Sequence, residues 1–501
     1  MGKKDGVVYT PEPVVEKMLD MMGYLPDIYP QVLSRHIIDN SCGNGNILLP
    51  VLKRYVEAAD KIYKSLGYSA SNIQTKIIAR ACEHIHGIEI DEKACKECKA
   101  RMDQYLMDFF GVECVNTDWD IRCQDALDLK ERDIRVYDYV IGNPPYIRVH
   151  DLECDLSGYE FTEEGMKDIY IAFYELSLKM VKDGGKICYI TPSSWFTSKA
   201  GEKFRKYLFN NKLLSYVADY GHTQVFDGVT TYVEITLIDA CKPELYNYLT
   251  YEDMNTGKKM AIPYPSFESD GKFYFMEPQE LLTFTQMQIC KEKALAVVKN
   301  GFATLADKLF IHDEKMDDSP YVIPVVKSST GKKSWCIYPY NEEGKLVDEW
   351  DFARSAPKSR DYLTDNKGKL LDRDTDEPYY AFGRTQAIGD TYKTKYAIKS
   401  IVKTVDDLKP IKVLPGTGVY GGLYIQCDYP LFIDSLNWET FLKYVKSLKK
   451  YKSGGYYTYS SKDLQKFLDW SWENHPKELS YLKDNGQKKE RQDYGVRGPA
   501  T

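Results

Sequence analysis

The chain lacks any apolar run near the roughly 18 residues that a membrane span requires. Its opening residues, Met1-Gly2-Lys3-Lys4-Asp5, also lack the apolar core of a secretory signal. A cytoplasmic protein with no membrane partner is therefore expected. A cysteine framework is missing too: twelve cysteines are scattered through 501 residues without paired spacing, which argues against disulfides. Cys95 and Cys98 form the only close pair, and no second half-site follows, so reduced thiols are expected there and no metal. Nor is there an excess of positive charge. The formal net charge is −7, the wrong sign for a nucleic-acid binder taken whole, but the charge is uneven. Residues 1–240 hold 28 Lys+Arg against 37 Asp+Glu, and the remainder holds 39 against 37.

What is present fits two or three soluble domains. The first 240 residues alternate short apolar runs with amphipathic stretches, the signature of a mostly parallel sheet covered by helices. Strands are expected at His36–Asp39, His84–Ile90, Asp118–Cys123, Tyr137–Ile141, Lys186–Thr191 and Tyr232–Asp239, the last as an antiparallel edge. Helices are expected near Asn46–Leu66, Asp91–Phe110, Glu163–Val181 and Lys199–Asn210. Beyond residue 245 the pattern turns irregular. A helix at Pro278–Val298 is followed by short β-rich pieces, then by helices at Trp438–Lys450 and Ser461–Glu473. The expected division is 1–245, a doubly wound α/β domain; 246–490, a mixed α+β domain; and 491–501, a frayed tail.

Four strand tips carry the chemistry. After Ile37-Ile38-Asp39 comes Asn40-Ser41-Cys42-Gly43-Asn44-Gly45, where Gly43 and Gly45 would let the backbone pass close to a bulky ligand; the bland alternative is a tight βα loop. Glu89 at the second tip, followed by Ile90 and Asp91, suits the ribose hydroxyls of a nucleoside, though Asp91 could equally cap the next helix. Asp125, beside Ala126, ends the third strand and could accept from an adenine amine. The fourth tip, Asn143-Pro144-Pro145-Tyr146, decides the reading. Prolines fix the backbone and leave carbonyls rigidly aimed, so the Asn143 side-chain oxygen and the Pro144 carbonyl make two acceptors for one –NH2 group. Accepting both hydrogens frees the nitrogen lone pair for attack on a sulfonium methyl, while Tyr146 offers a face for a planar substrate.

These residues resemble the TaqI-like adenine methyltransferases of bacterial restriction–modification systems. The resemblance runs from Tyr9-Thr10-Pro11 through Asp168–Phe173, Gly184-Gly185-Lys186 and Thr191–Trp195 to Val225–Tyr232. It implies a class I fold dependent on S-adenosyl-L-methionine. Tyr9, Thr10, Pro11, Asp39, Gly43, Gly45, Glu89, Ile90, Asp125, Ala126 and Pro145 would contact the cofactor. Asn143, Pro144 and Tyr146 would be catalytic, and Phe226 would stack on the other face of a flipped adenine. The family's Asp-Pro after the first strand is Asp39-Asn40 here, so that loop is expected to be set differently. No Pro-Cys dipeptide occurs, so the covalent nucleophile of a cytosine-C5 enzyme is missing.

The remaining half would hold double-stranded DNA. Tyr379–Gln386 with Lys393, Lys395, Lys399 and Lys403 interleaves aromatics with cations, and a second basic run spans Lys443–Lys452. Arg384, Lys393, Lys395, Lys449 and Lys452 are the expected DNA contacts, with a solvated helix face as the bland reading of the second run. A monomer is expected, with a separately encoded restriction nuclease as companion. A glutamine-directed protein methyltransferase or an RNA amine methylase shares the catalytic loop's logic and stays open as an alternative. So does a non-catalytic DNA-specificity subunit.

Overall fold

The computed structural model describes residues 9–25, 31–147, 156, 158–162, 168–226, 232–240, 247–264 and 266–474. The chain divides into two compact units, Met1–Leu281 and Leu282–Thr501.

The first unit opens with α1 (Glu12–Met22), which sequence patterning did not mark as a helix. Pro11 begins it, Gly23 ends it at φ +75°, and Val14, Val15, Met18, Leu19 and Met22 form its buried stripe. Then follow β1 (Ile37–Asp39), α2 (Leu48–Ser65), α3 (Ala70–His84), β2 (Ile85–Glu89), α4 (Glu92–Phe110), β3 (Asp120–Cys123) and β4 (Tyr137–Gly142). After them come α5 (Ile169–Met180), β5 (Val181–Pro192), α6 (Glu202–Asn210), β6 (Leu214–Asp219), β7 (Val233–Asp239), β8 (Tyr248–Asp253) and β9 (Lys258–Pro263). The sheet order is β3-β2-β1-β4-β5-β7-β6-β8-β9. Strands β1 to β5 pair in parallel. β7 runs antiparallel to both β5 and β6. This is a doubly wound, mostly parallel sheet, the fold that the resemblance implies.

Three expectations need correction. The antiparallel strand β7 is interior, fully buried along its length, because β6 covers its other side. Two further strands, β8 and β9, extend the sheet through a parallel β6–β8 pairing, so the first unit ends near residue 281 rather than 245. The helix expected over Pro278–Val298 stops at Ile289. Its β-branched end, Ala296–Asn300, instead pairs antiparallel with Leu423–Cys427.

The second unit is mixed α+β. One four-stranded sheet comprises Ala296–Asn300, Leu423–Cys427, Lys395–Ile398 and Ile411–Val413. Another comprises Ile311–His312, Lys333–Ile337, Val322–Lys327 and Gly418–Tyr420. Buried rings of Phe302, Phe310, Tyr338, Phe382 and Tyr424 fill the core between its elements. Residues 475–501, including the tail expected to fray, lie outside the described residues, and among the described residues no helix is long and apolar enough to cross a membrane.

Candidate active site

The strand order reverses between β1 and β4, and a parallel sheet opens a crevice at the carboxyl ends of such neighbours. A cavity of about 410 Å³ sits there, and the four chemistry-bearing strand tips all line it. Asp39 closes β1. It is 1% exposed, and its Oδ1 accepts from the Ser41 amide at 3.0 Å while Oδ2 has no partner. Burial, with the Glu89 charge adding to it against the Ser41 amide, pushes the Asp39 carboxyl up to about 7. Glu89 closes β2 and shapes both neighbouring turns: Oε2 accepts from the Gly43 amide at 2.8 Å and Oε1 from Asp91 at 3.0 Å. Asp91 itself caps α4 by accepting from Lys93 at 2.8 Å, so the bland reading of that residue holds. Asp125 is exposed at the rim, where it accepts from the Leu127 amide at 2.9 Å. Ile90 is 69% exposed beside it.

The glycine turn divides its labour. Gly43 has φ +53° and a Cβ there would meet nothing within 4 Å, so it borders the cavity with bare backbone. Gly45 has φ +87°, and a Cβ there would lie 2.7 Å from the Cys98 sulfur on α4. Its smallness serves helix packing, which corrects its expected place beside the ligand. Arg101 of α4 fixes the same turn by donating to the Asn44 carbonyl at 2.8 Å and to Asn46 Oδ1 at 2.7 Å. Asn44 Oδ1 is buried without a partner. Cys95 and Cys98 are buried thiols, and among the described residues no group of three His, Cys, Asp or Glu is placed to hold a metal.

The departure at Asn40 also has a physical reason. Its amide is 1% exposed; Nδ2 donates to Ser177 Oγ at 3.1 Å and Oδ1 accepts from the Tyr189 hydroxyl at 2.6 Å. The loop after β1 is thereby tied to α5 and β5 instead of being stiffened by a proline.

Asn143 follows β4 directly and lines the cavity with Pro144, Pro145 and Tyr146. Gly142 before it is required: a Cβ would lie 2.9 Å from Tyr189 Cε1 and 3.1 Å from Asp39 Oδ1. The Tyr146 hydroxyl donates to the Ile190 carbonyl of β5 at 3.0 Å, which fixes its ring against the sheet, and burial holds that hydroxyl well above its ordinary range. Phe226 is 2% exposed, with its ring tilted 54° against Tyr146 at 6.2 Å. It packs in the core rather than facing a base across an open slot, and residues 227–231 after it lie outside the described residues. Thr10 and Tyr9 line the cavity, whereas the Pro11 carbonyl accepts the first amides of α1. Ser41, Gln124, Ile169 and Phe173 also line it but carried no assigned contact from sequence, although Ile169 and Phe173 lie in the Asp168–Phe173 stretch that carries the resemblance. The i, i+4 spacing of Ile169 and Phe173 on α5 is the signal that would have found the last two.

Among the expected DNA contacts, Lys395 is the clear correction. It is 1% exposed, and its ammonium donates to the carbonyls of Asp390, Thr391 and Lys393 at 2.9, 2.8 and 3.1 Å. Burial lowers it to about 8. Lys393 is exposed but pairs with Asp390 at 2.9 Å. Arg384 and Lys452 are exposed, and Lys449 is half-buried at φ +54°.

Residues 71–226 match the family model of the Eco57I restriction-modification methylases. That stretch runs from α3 to Phe226 and contains Glu89, Asp125 and Asn143 to Tyr146. Over residues 71–226 the chain is therefore similar to that methylase family. Around it, the chain is similar to the type II restriction enzyme and methyltransferase RM.Eco57I of Escherichia coli, 22% identical over 72% of this chain. It spans only 45% of that relative's length. The type II methyltransferases M.BstVI of Geobacillus stearothermophilus and M.XhoI of Xanthomonas vasicola are each 25% identical, over 70% and 73% of this chain and 69% and 72% of their own. Among solved structures, the type IIL restriction-modification enzyme MmeI in complex with DNA superposes with a TM-score of 0.62 at 12% identity, covering all of this chain and 78% of that one. Similarity to a methylase family implies S-adenosylmethionine as the cofactor, and the residues present fit it. A buried carboxylate oxygen and a buried amide oxygen stand without partners by the cavity, at Asp39 and Asn44, and the Gly43 backbone is bare.

Proposed function

We propose that the chain is a DNA methyltransferase that modifies the N6 amine of a flipped adenine, as the modification component of a restriction–modification system. One observation carries the reading: Asn143, Pro144 and Tyr146 line the same cavity as Asp39, Glu89 and Asp125, at the reversal point of the sheet. The cofactor supplies an electrophilic methyl on sulfur. Asp39 and the turn around Gly43 would hold its amino-acid end, Glu89 would accept from its ribose, and Asp125 with Ala126 and Pro145 would frame its adenine. Asn143 Oδ1 and the Pro144 carbonyl accept the two hydrogens of the target amine and turn its lone pair toward the methyl. Tyr146 supports the base from one face. The methyl–sulfur bond would break as the nitrogen–carbon bond forms, leaving a neutral thioether, and the methylated amine would then lose its proton to solvent, so no strong base is needed. Flipping the base out of the duplex costs a few kcal/mol; exposed cations of the second unit, Arg384 and Lys452 among them, offset part of that by holding phosphates or bases. The similarity to type II methyltransferases and to an enzyme seen with DNA supports DNA as the substrate. The companion nuclease is a separately encoded protein in this reading.

Methyl-labelled S-adenosylmethionine incubated with the chain and genomic DNA, followed by digestion to nucleosides, tests it. Label is expected in N6-methyladenine at one recurring sequence. Label in cytosine, in RNA or in protein glutamine would contradict the reading.

A further inference from the structure

Two segments of the second unit meet at a rigid and strained junction. Ala303 and Arg384 exchange backbone hydrogen bonds, N to O at 3.2 Å and 2.9 Å, as an isolated antiparallel bridge. Beneath it, the buried Arg373 guanidinium donates to the carbonyls of Thr304 at 2.7 Å, Ala381 at 2.8 Å, Tyr379 at 3.0 Å and Pro378 at 3.4 Å, while its Nε donates to Leu370 at 2.8 Å. Phe302 and Phe382 stack at 4.7 Å, so both segments are also held by their rings.

On this platform Leu305 adopts φ +57°, a left-handed conformation that is costly for a bulky side chain. The strain does not hide an apolar group, for Leu305 remains 39% exposed. Its side chain lies over Gly383, where a Cβ would come within 2.3 Å of Leu305 Cδ1; the glycine makes room for the leucine. Next along the chain, the Arg384 side chain is exposed and pairs with no carboxylate among the described residues. Its neighbours in the sequence behave otherwise: Lys393 pairs with Asp390, Lys395 is buried and Lys399 pairs with Asp407.

A fixed backbone, a strained exposed leucine and an unpaired guanidinium side by side form a surface built for recognition. We propose that Leu305 and Arg384 read base edges in duplex DNA, Arg384 by a forked contact to a guanine and Leu305 by apolar contact with the adjoining base. Arg373 is their positioning residue. Guanidinium matches the paired acceptors of a guanine edge, and an aliphatic group matches a thymine methyl. A phosphate contact would need neither the rigid mount nor the leucine. This pair rests on the reading of the chain as a DNA methyltransferase.

The test uses the intact chain and a duplex library randomised around the site that the wild type methylates. Arg384→Lys keeps the charge and loses the fork. It is expected to cost about tenfold or more in discrimination at one position, with an unchanged salt dependence of binding. Leu305→Gly removes the side chain and suits the positive φ, so its melting temperature should equal or exceed that of the wild type while preference at the adjoining position is lost. Arg384→Lys acting as wild type, with Arg384→Ala weakening all sequences alike and lowering the salt slope by about one, would mark a phosphate contact and overturn the pair. A lower melting temperature for Leu305→Gly with sequence preference intact would make that leucine a packing residue and overturn its role. A wild type that methylates no DNA would sink the functional reading and the pair together. A defined wild-type site that neither variant alters would sink the pair alone.

Discussion

Asp39 and Lys395 are each 1% exposed, one in each compact unit, and their surroundings treat them in opposite ways. The Asp39 carboxylate keeps one oxygen without a partner at the wall of a cavity. The Lys395 ammonium donates to three carbonyls of the turn that precedes it. Both lose hydration, so both shift toward neutrality, Asp39 up to about 7 and Lys395 down to about 8. What separates them is residual hydrogen-bonding capacity. A buried carboxylate with an unused acceptor, on a residue that lines a cavity, keeps capacity for a further partner, and an ammonium whose donors are all used is a structural tie. The same contrast recurs within one turn, where Gly43 faces the cavity and Gly45 faces the Cys98 sulfur.

The largest effect that would break this contrast lies at Lys395. Lys395→Ala should lower unfolding stability by about 3 kcal/mol, because buried carbonyls lose a donor and the stem leaves a void; denaturant melts check this. A variant of native stability that binds DNA more weakly would restore Lys395 as a DNA contact. Gly45→Ala comes next, at about 2 kcal/mol from the sulfur contact and the positive φ together. Gly43→Ala should fold nearly as well as wild type but bind S-adenosylmethionine more weakly, which calorimetry separates from a folding defect.

Asp39 supplies a pH signature. Its carboxyl, raised to about 7, is mostly protonated below that pH, where in the proposed role it could no longer attract the cofactor's ammonium group. Affinity for S-adenosylmethionine should therefore fall about tenfold from about pH 8 to about pH 6, and binding should release a proton. Asp39→Asn should bind more weakly at pH 8 and show a flat profile; an unchanged slope would assign the titration to another group. The smallest expected effect is at Lys393, whose exposed pairing with Asp390 is worth under about 1 kcal/mol, so Lys393→Ala should leave the melting temperature within a degree or two of wild type.

Sequence made the cavity end of the sheet readable because strand tips in a parallel sheet converge on one crevice, so acids in strand order predict a shared site before any contact is known. β1, β2, β3, β4 and β7 lie within two residues of their expected bounds. β6 escaped because the turn before it is made by Lys212 at φ 51°, with no glycine or proline to mark it. β8 and β9 escaped because β9 is an edge strand carrying exposed Lys258 and Lys259, a polarity that reads as loop. In the site, the roles of Gly45 and Phe226 depended on what packs against them from α4 and Tyr146, and no local pattern encodes those partners. Lys395 looks like any surface lysine in sequence; only the fold of Asp390–Lys393 reveals three carbonyls aimed at its ammonium.

The account stands most directly on Asn143 as the acceptor that activates the target amine. With DNA and S-adenosylmethionine, Asn143→Ala should lower methyl transfer by about a hundredfold to a thousandfold, while the affinity for S-adenosylmethionine stays within about threefold of wild type. Retained turnover, or loss of cofactor binding in proportion to the loss of activity, would contradict the assignment of Asn143 to the target amine.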